Sequence, residues 1–123
     1  MNKNKYMPPF HGIQVYEILE NGNLLNAMYT NTGLSKNGNY AIDNEIVQKK
    51  VTDNKGVEGD YCCKFFETVD SSHYAVTHYE LSIKKCKGVY EFTWQNQTTK
   101  ITKWKGLGLM AGTTHIAVSY IEV

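Results

Sequence analysis

Long hydrophobic runs are missing from this chain. No apolar stretch approaches the roughly 18 residues of a membrane-spanning helix, so no membrane partner is expected. An excess of charge of one sign is missing too: thirteen Lys and Arg stand against twelve Asp and Glu. A nucleic-acid-binding domain usually carries a stronger basic excess, so no nucleic-acid partner is expected. Cysteine is scarce, with only Cys62, Cys63 and Cys86. That odd count suits a reducing compartment, and the lack of any CxxC spacing argues against a zinc site built on cysteines. Cys62 and Cys63 are adjacent, so on a strand they face opposite sides. At least one reads as a buried small apolar residue; a vicinal redox pair is the alternative.

There is no internal repeat, no low-complexity segment and no linker, so residues 1–123 read as one domain. A chain of this length buries about two-thirds of its unfolded surface and needs no disulfide or metal for stability. The basic start, Met1 to Lys5, is not followed by the apolar segment of a signal peptide. Residues 1–9 read as a flexible N-terminal segment, and the expected location is cytoplasmic; a signal removed beforehand is the alternative.

Familiar catalytic motifs are also lacking. Gly106-Leu107-Gly108-Leu109-Met110-Ala111-Gly112 has neither the spacing nor the following helix of a dinucleotide-binding turn. Ser82, Ser119 and the threonines lie outside any nucleophile-elbow pattern. Asn96-Gln97-Thr98 matches a glycosylation sequon but reads as a turn. His73 and His78 are five apart, so on one strand they face opposite sides and cannot share a metal. No metal or cofactor is expected. Lys100, Lys103 and Lys105 surround Trp104, a pattern that suits single-stranded nucleic acid but equally a solvated lysine edge that discourages strand pairing. The balanced net charge favours the edge.

What is present is alternation. Tyr90, Phe92 and Trp94 alternate with polar residues, and Ile116, Val118 and Tyr120 alternate with smaller ones. Side chains on a strand point alternately to its two faces. Breaks at Asn21-Gly22, Asn37-Gly38, Asp53 to Gly56, Asp70 to Ser72, Lys87-Gly88, Gln95 to Gln97 and Ala111 to Thr113 carry turn chemistry. They divide the chain into eight extended segments near 11–20, 23–31, 39–51, 58–69, 73–86, 88–95, 98–110 and 114–122. Residues 43–50 also fit a short helix capped by Asp43. Eight meandering strands tend to close, because closure removes exposed edges. The expected fold is an all-β, antiparallel up-and-down barrel of about eight strands. Gly106 and Gly108 share a face beside Trp104, where absent side chains let the strand bend or a bulky neighbour cross it.

The residues Tyr90 to Trp94, the Gly106-Leu107-Gly108 strand, Gly112 and the closing Ile116 to Tyr120 strand resemble the C-terminal signature of small bacterial calycin-like proteins. The resemblance covers about the last third of the chain. It implies a barrel shaped like those of lipocalins, fatty-acid-binding proteins and avidins, and no particular ligand. Phe10 to Gln14 lacks the tryptophan of the lipocalin Gly-x-Trp, Asn21-Gly22 closes the gap that holds a helical pair in fatty-acid-binding proteins, and Trp94 and Trp104 do not make the avidin tryptophan set.

A barrel of this size is either filled by side chains or holds one small ligand. Tyrosine, with an apolar ring and a polar tip, suits a pocket for a small amphipathic molecule, and nine are present. The expected function is binding of a small, largely apolar ligand near Tyr79, Tyr90, Phe92, Trp94 and Tyr120. Glu17 shares a face with Val15 and Leu19 and would be a polar anchor if that face is inward; with Tyr16 and Ile18 inward it is solvated. Two further readings stand beside this one. The first is an enzyme on the same barrel, using an inward acid or histidine. The second is a structural module with a filled core that binds a protein, or a second copy as a homodimer, through its outer face.

Overall fold

Ten strands follow one another along the chain in a computed structural model that describes residues 9–36 and 38–123. They are β1 (His11–Leu19), β2 (Leu24–Asn31), β3 (Ser35–Lys36), β4 (Asn39–Tyr40), β5 (Asp43–Lys49), β6 (Gly59–Thr68), β7 (Tyr74–Cys86), β8 (Val89–Asn96), β9 (Thr102–Ala111) and β10 (His115–Glu122). All strands but β3 and β4 pair antiparallel with their neighbours in sequence, and β10 pairs back onto β1, closing an eight-stranded up-and-down barrel. The short β3–β4 hairpin stands apart from the barrel. The Asn37 half of the Asn37-Gly38 turn and residues 1–8 of the N-terminal segment lie outside the described residues. No described helix is long and apolar enough to cross a membrane.

The turns obey the backbone chemistry of their residues. Lys87 and Gly88, both at positive φ, make the two-residue link between the paired Cys86 and Val89, the geometry that matches strand twist. Glu20, Asn21 and Gly22 hold three successive positive φ angles between β1 and β2. The Asn96 carboxamide accepts the backbone N–H of Thr98 at 2.8 Å and of Thr99 at 2.9 Å, so the sequon is an Asx-type turn.

The helical alternative for residues 43–50 is overturned: they form β5, with Asp43, Glu45, Val47 and Lys49 inward. The carboxyls of Asp43 and Glu45 find partners on other strands, which a helix would have carried away. The inward reading of Glu17 is also corrected. Gln14 and Tyr16 are the buried set of β1 and Glu17 is exposed. The Tyr16 ring stacks on Phe92 with centroids 5.5 Å apart and its hydroxyl reaches Glu45, ties that fix the register of β1.

The inner faces of β7, β8 and β10 carry Leu81 and Ile83, Phe92 and Trp94, and Ile116, Val118 and Tyr120. Gly106 and Gly108 face them. A Cβ on Gly108 would meet the Phe92 ring at 2.7 Å and one on Gly106 the Ser119 carbonyl at 2.8 Å. The large rings therefore cross β9 where side chains are missing.

One end of the barrel is sealed by the segment between β5 and β6. Tyr61, fully buried, donates its hydroxyl to the carbonyls of Val57 at 2.6 Å and Gly22 at 2.8 Å. The Lys49 ammonium bonds the Asp53 carboxylate at 2.5 Å and the Gly56 carbonyl at 2.7 Å. The Asn23 carboxamide donates to the Asp53 carbonyl and accepts its N–H, both at 2.8 Å. The opposite end, where β1 begins and β10 ends, is the mouth.

Candidate functional site

The interior changes character along its length. Its middle is solid, built around Glu45, which is fully buried. An unpaired buried carboxyl is costly, and this one is surrounded by donors. Gln14 Nε2 donates to Oε1 at 2.6 Å, the Tyr16 hydroxyl donates to the same oxygen, and Trp94 Nε1 donates to Oε2 at 3.0 Å. The Cys63 thiol also bonds the carboxyl. Burial pushes the Glu45 carboxyl above the usual carboxylate range, and these hydrogen bonds only partly oppose it. Tyr16 and Cys63 are raised well above their ordinary values, first by burial and then by Glu45. The cluster is thus a set of protonated groups at neutral pH, save for the carboxyl that titrates among them.

Above this floor the barrel opens into a cavity of about 190 Å³. Six aromatic side chains wall it: Phe10, Tyr29, Phe65, Trp94, Trp104 and Tyr120. Phe65 meets Tyr29 and Trp104 edge to face at 5.5 and 5.6 Å, the tilted geometry that ring quadrupoles favour. Gln14, Asn31, Thr77, Glu67 and Glu122 supply the polar lining. Tyr120 accepts from Asn31 Nδ2 at 3.0 Å, and burial pushes its phenol up to about 12. The Tyr120 ring lies across Gly12, where a Cβ would meet it at 2.1 Å. Trp104 keeps its indole Nε1 buried without an acceptor among the described residues, an arrangement a native core rarely tolerates. Asp43, at the mouth end of β5, accepts from Thr68 through Oδ1, and its Oδ2 has no partner among the described residues.

The residues expected to hold a ligand are divided by this arrangement. Trp94 and Tyr120 line the cavity. Tyr79 packs against two of its walls, 4.9 Å from Trp104 and 5.7 Å from Phe65. Phe92 lies a layer deeper, against Tyr16 and Trp94, and Tyr90 is half-buried nearer the sealed end of β8. Glu17 points outward; the inward acid is Glu45. Phe65 shares inward parity with Tyr61 on β6, and Trp104 with Gly106 and Gly108 on β9, the signal that locates them on the wall.

The outer surface carries a second feature. Ile13, Met28, Ile42, Leu107 and Leu109 are exposed and border a shallow apolar groove of about 540 Å³ across β2, β1, β10 and β9, floored by Val15, Ala117 and Ser119. Cys62 is exposed, Cys63 is buried, and all three cysteines are free thiols.

The fold and site define a small antiparallel barrel, plugged at one end and hollow at the other. Comparisons with protein-family models, with curated proteins and with solved structures returned no match for this chain.

Proposed function

We propose that the protein binds a small molecule in the mouth of the barrel. One observation carries this reading: an aromatic-walled cavity of about 190 Å³ where a filled core would place side chains. Pockets for drug-sized ligands span about 300–1,000 Å³, so the ligand is smaller than that class. The barrel is a binding module rather than an enzyme. The titratable pairs that proton transfer would use, Glu45 with Tyr16 and with Cys63, lie in the solid middle, with Glu45 and Tyr16 fully buried. Gln14 and Trp94 stand between them and the cavity. Native mass spectrometry of the protein purified from its own source tests the reading. A retained molecule of fitting size is expected, and soaking the delipidated protein with it should shift tryptophan emission. A protein that retains nothing and whose emission no small molecule alters would sink the proposal.

The outer groove favours a second property, pairing with a second copy. On neighbouring strands Ile13 stands beside Ser119, Val15 beside Ala117 and Glu17 beside His115. A two-fold axis running between β1 and β10 along the strands sets the large residue of each pair over the small residue of the partner copy. It also sets Glu17 against His115. An isologous interface of this kind requires such self-complementarity.

A further inference from the structure

We propose that the mouth cavity takes a small organic cation of the substituted-ammonium class. This rests on the binding reading above and adds the charge of what fills the site. Six aromatic rings wall the cavity. The face of a ring is the negative pole of its quadrupole, and a cation within about 6 Å of the centroid is attracted to it. Quaternary ammonium groups gain most, because their weak hydration is cheaply given up.

The charges around the cavity point the same way. Among the described residues no lysine or histidine lines it, whereas Glu67 and Glu122 do. Lys103 neutralises Glu122 at 2.5 Å, but Glu67 enters none of the ion pairs among the described residues. The carboxyl group of Asp43 is also inward at the mouth end of β5. The inward ammonium of Lys49 sits at the sealed end, held by Asp53 and Gly56. An anion entering the mouth meets Glu67, while the Lys103 ammonium beside Trp104 is already engaged by Glu122. A neutral molecule gains apolar contact and the hydrogen-bonding groups of Gln14, Asn31 and Thr77, but no attraction to the rim charge. A small cation gains the ring faces and the rim carboxylate together.

The test compares choline with 3,3-dimethylbutan-1-ol, its uncharged carbon isostere, and with phenol, on the full chain. Trp94 and Trp104 are the chain's two tryptophans and both line the cavity, so emission excited in the indole band reports occupancy directly. Calorimetry gives a second readout. Choline is expected to bind about tenfold or more tighter than its isostere, the scale of a desolvated cation–π contact. Glu67→Gln, a change at an exposed rim position, is expected to weaken choline severalfold and leave the isostere unchanged, with an unaltered circular dichroism spectrum. If the isostere or phenol binds as well as choline, the cation assignment falls and the pocket stands as an apolar site. If none of the three binds, the cation assignment falls, and native mass spectrometry of the purified protein decides the pocket reading separately.

Discussion

At the scale of single residues, Glu45 sets the most testable property. Its carboxyl is raised by burial, so the folded chain holds that proton more tightly than the unfolded chain does. Stability therefore falls as pH rises from the ordinary carboxylate value of about 4.3 through the raised folded value, and is unaffected by Glu45 below that window. The groups facing it from other strands are Gln14 and Tyr16 on β1, Cys63 on β6 and Trp94 on β8. Tyr16 and Cys63 are themselves raised and stay neutral throughout the window. Ion-paired carboxylates such as Glu80, lowered by Lys100 and Lys50, act in the opposite sense, so the difference between wild type and Glu45→Gln isolates the carboxyl of Glu45. Urea unfolding at several pH values should show that difference widening with pH in favour of the glutamine. A difference that stays flat would mean that the carboxyl titrates normally. Glu45→Leu is a different experiment. It strands the Gln14 amide N–H and the Trp94 indole N–H and leaves the Tyr16 hydroxyl only its 3.3 Å bond to Gln14 Oε1, and with about 1–3 kcal/mol for each buried group left unpaired the loss should exceed about 2 kcal/mol. Chemical denaturation measures it.

At the scale of elements, the sealed end holds by a few hydrogen bonds between two loops, and it should open before the barrel does. Tyr61→Phe removes the donor to the Val57 and Gly22 carbonyls while keeping the ring. The expected loss is about 1 kcal/mol, with faster hydrogen exchange in residues 50–58 and none near Trp94. Uniformly faster exchange would show that this end does not open separately. The strands were largely legible because alternation and turn chemistry agree: Lys87-Gly88 gives the predicted link, and β7, β8 and β10 turn the expected faces inward. Two elements show where that legibility stops. β9 begins at Thr102 rather than near residue 98, because Asn96 draws the following residues into its turn. β5 resisted because its inward face carries Asp43, Glu45 and Lys49 while Ile46 faces outward. Hydrophobic periodicity assigns faces by apolarity, and the partners that satisfy Glu45, Gln14 and Trp94, are far away in sequence. The same stagger of strands decides depth. Parity alone makes Tyr90, Phe92 and Trp94 equivalent, yet only Trp94 reaches the cavity.

At the scale of the whole molecule, a closed barrel has used up its edges, so any association between copies must go through a face. The face across β2, β1, β10 and β9 suits this: Ile13 is 60% exposed, Leu107 59% and Met28 54%, and β1 is bulky where β10 carries Ala117 and Ser119. Monomeric proteins seldom leave a contiguous apolar patch of this kind uncovered. The mouth cavity opens at the barrel end rather than on this face, so pairing would leave the ligand site free. Light scattering coupled to size exclusion at high micromolar concentration should give twice the chain mass. Ala117→Arg puts a long cation where the partner's Val15 would pack, on a side chain that points away from the core. It should give the single-chain mass with unchanged choline affinity and unfolding midpoint. A wild-type chain that stays single at that concentration would remove the dimer while leaving the pocket intact, and a variant that loses both mass and ligand would show that the two faces are coupled through β1 and β10.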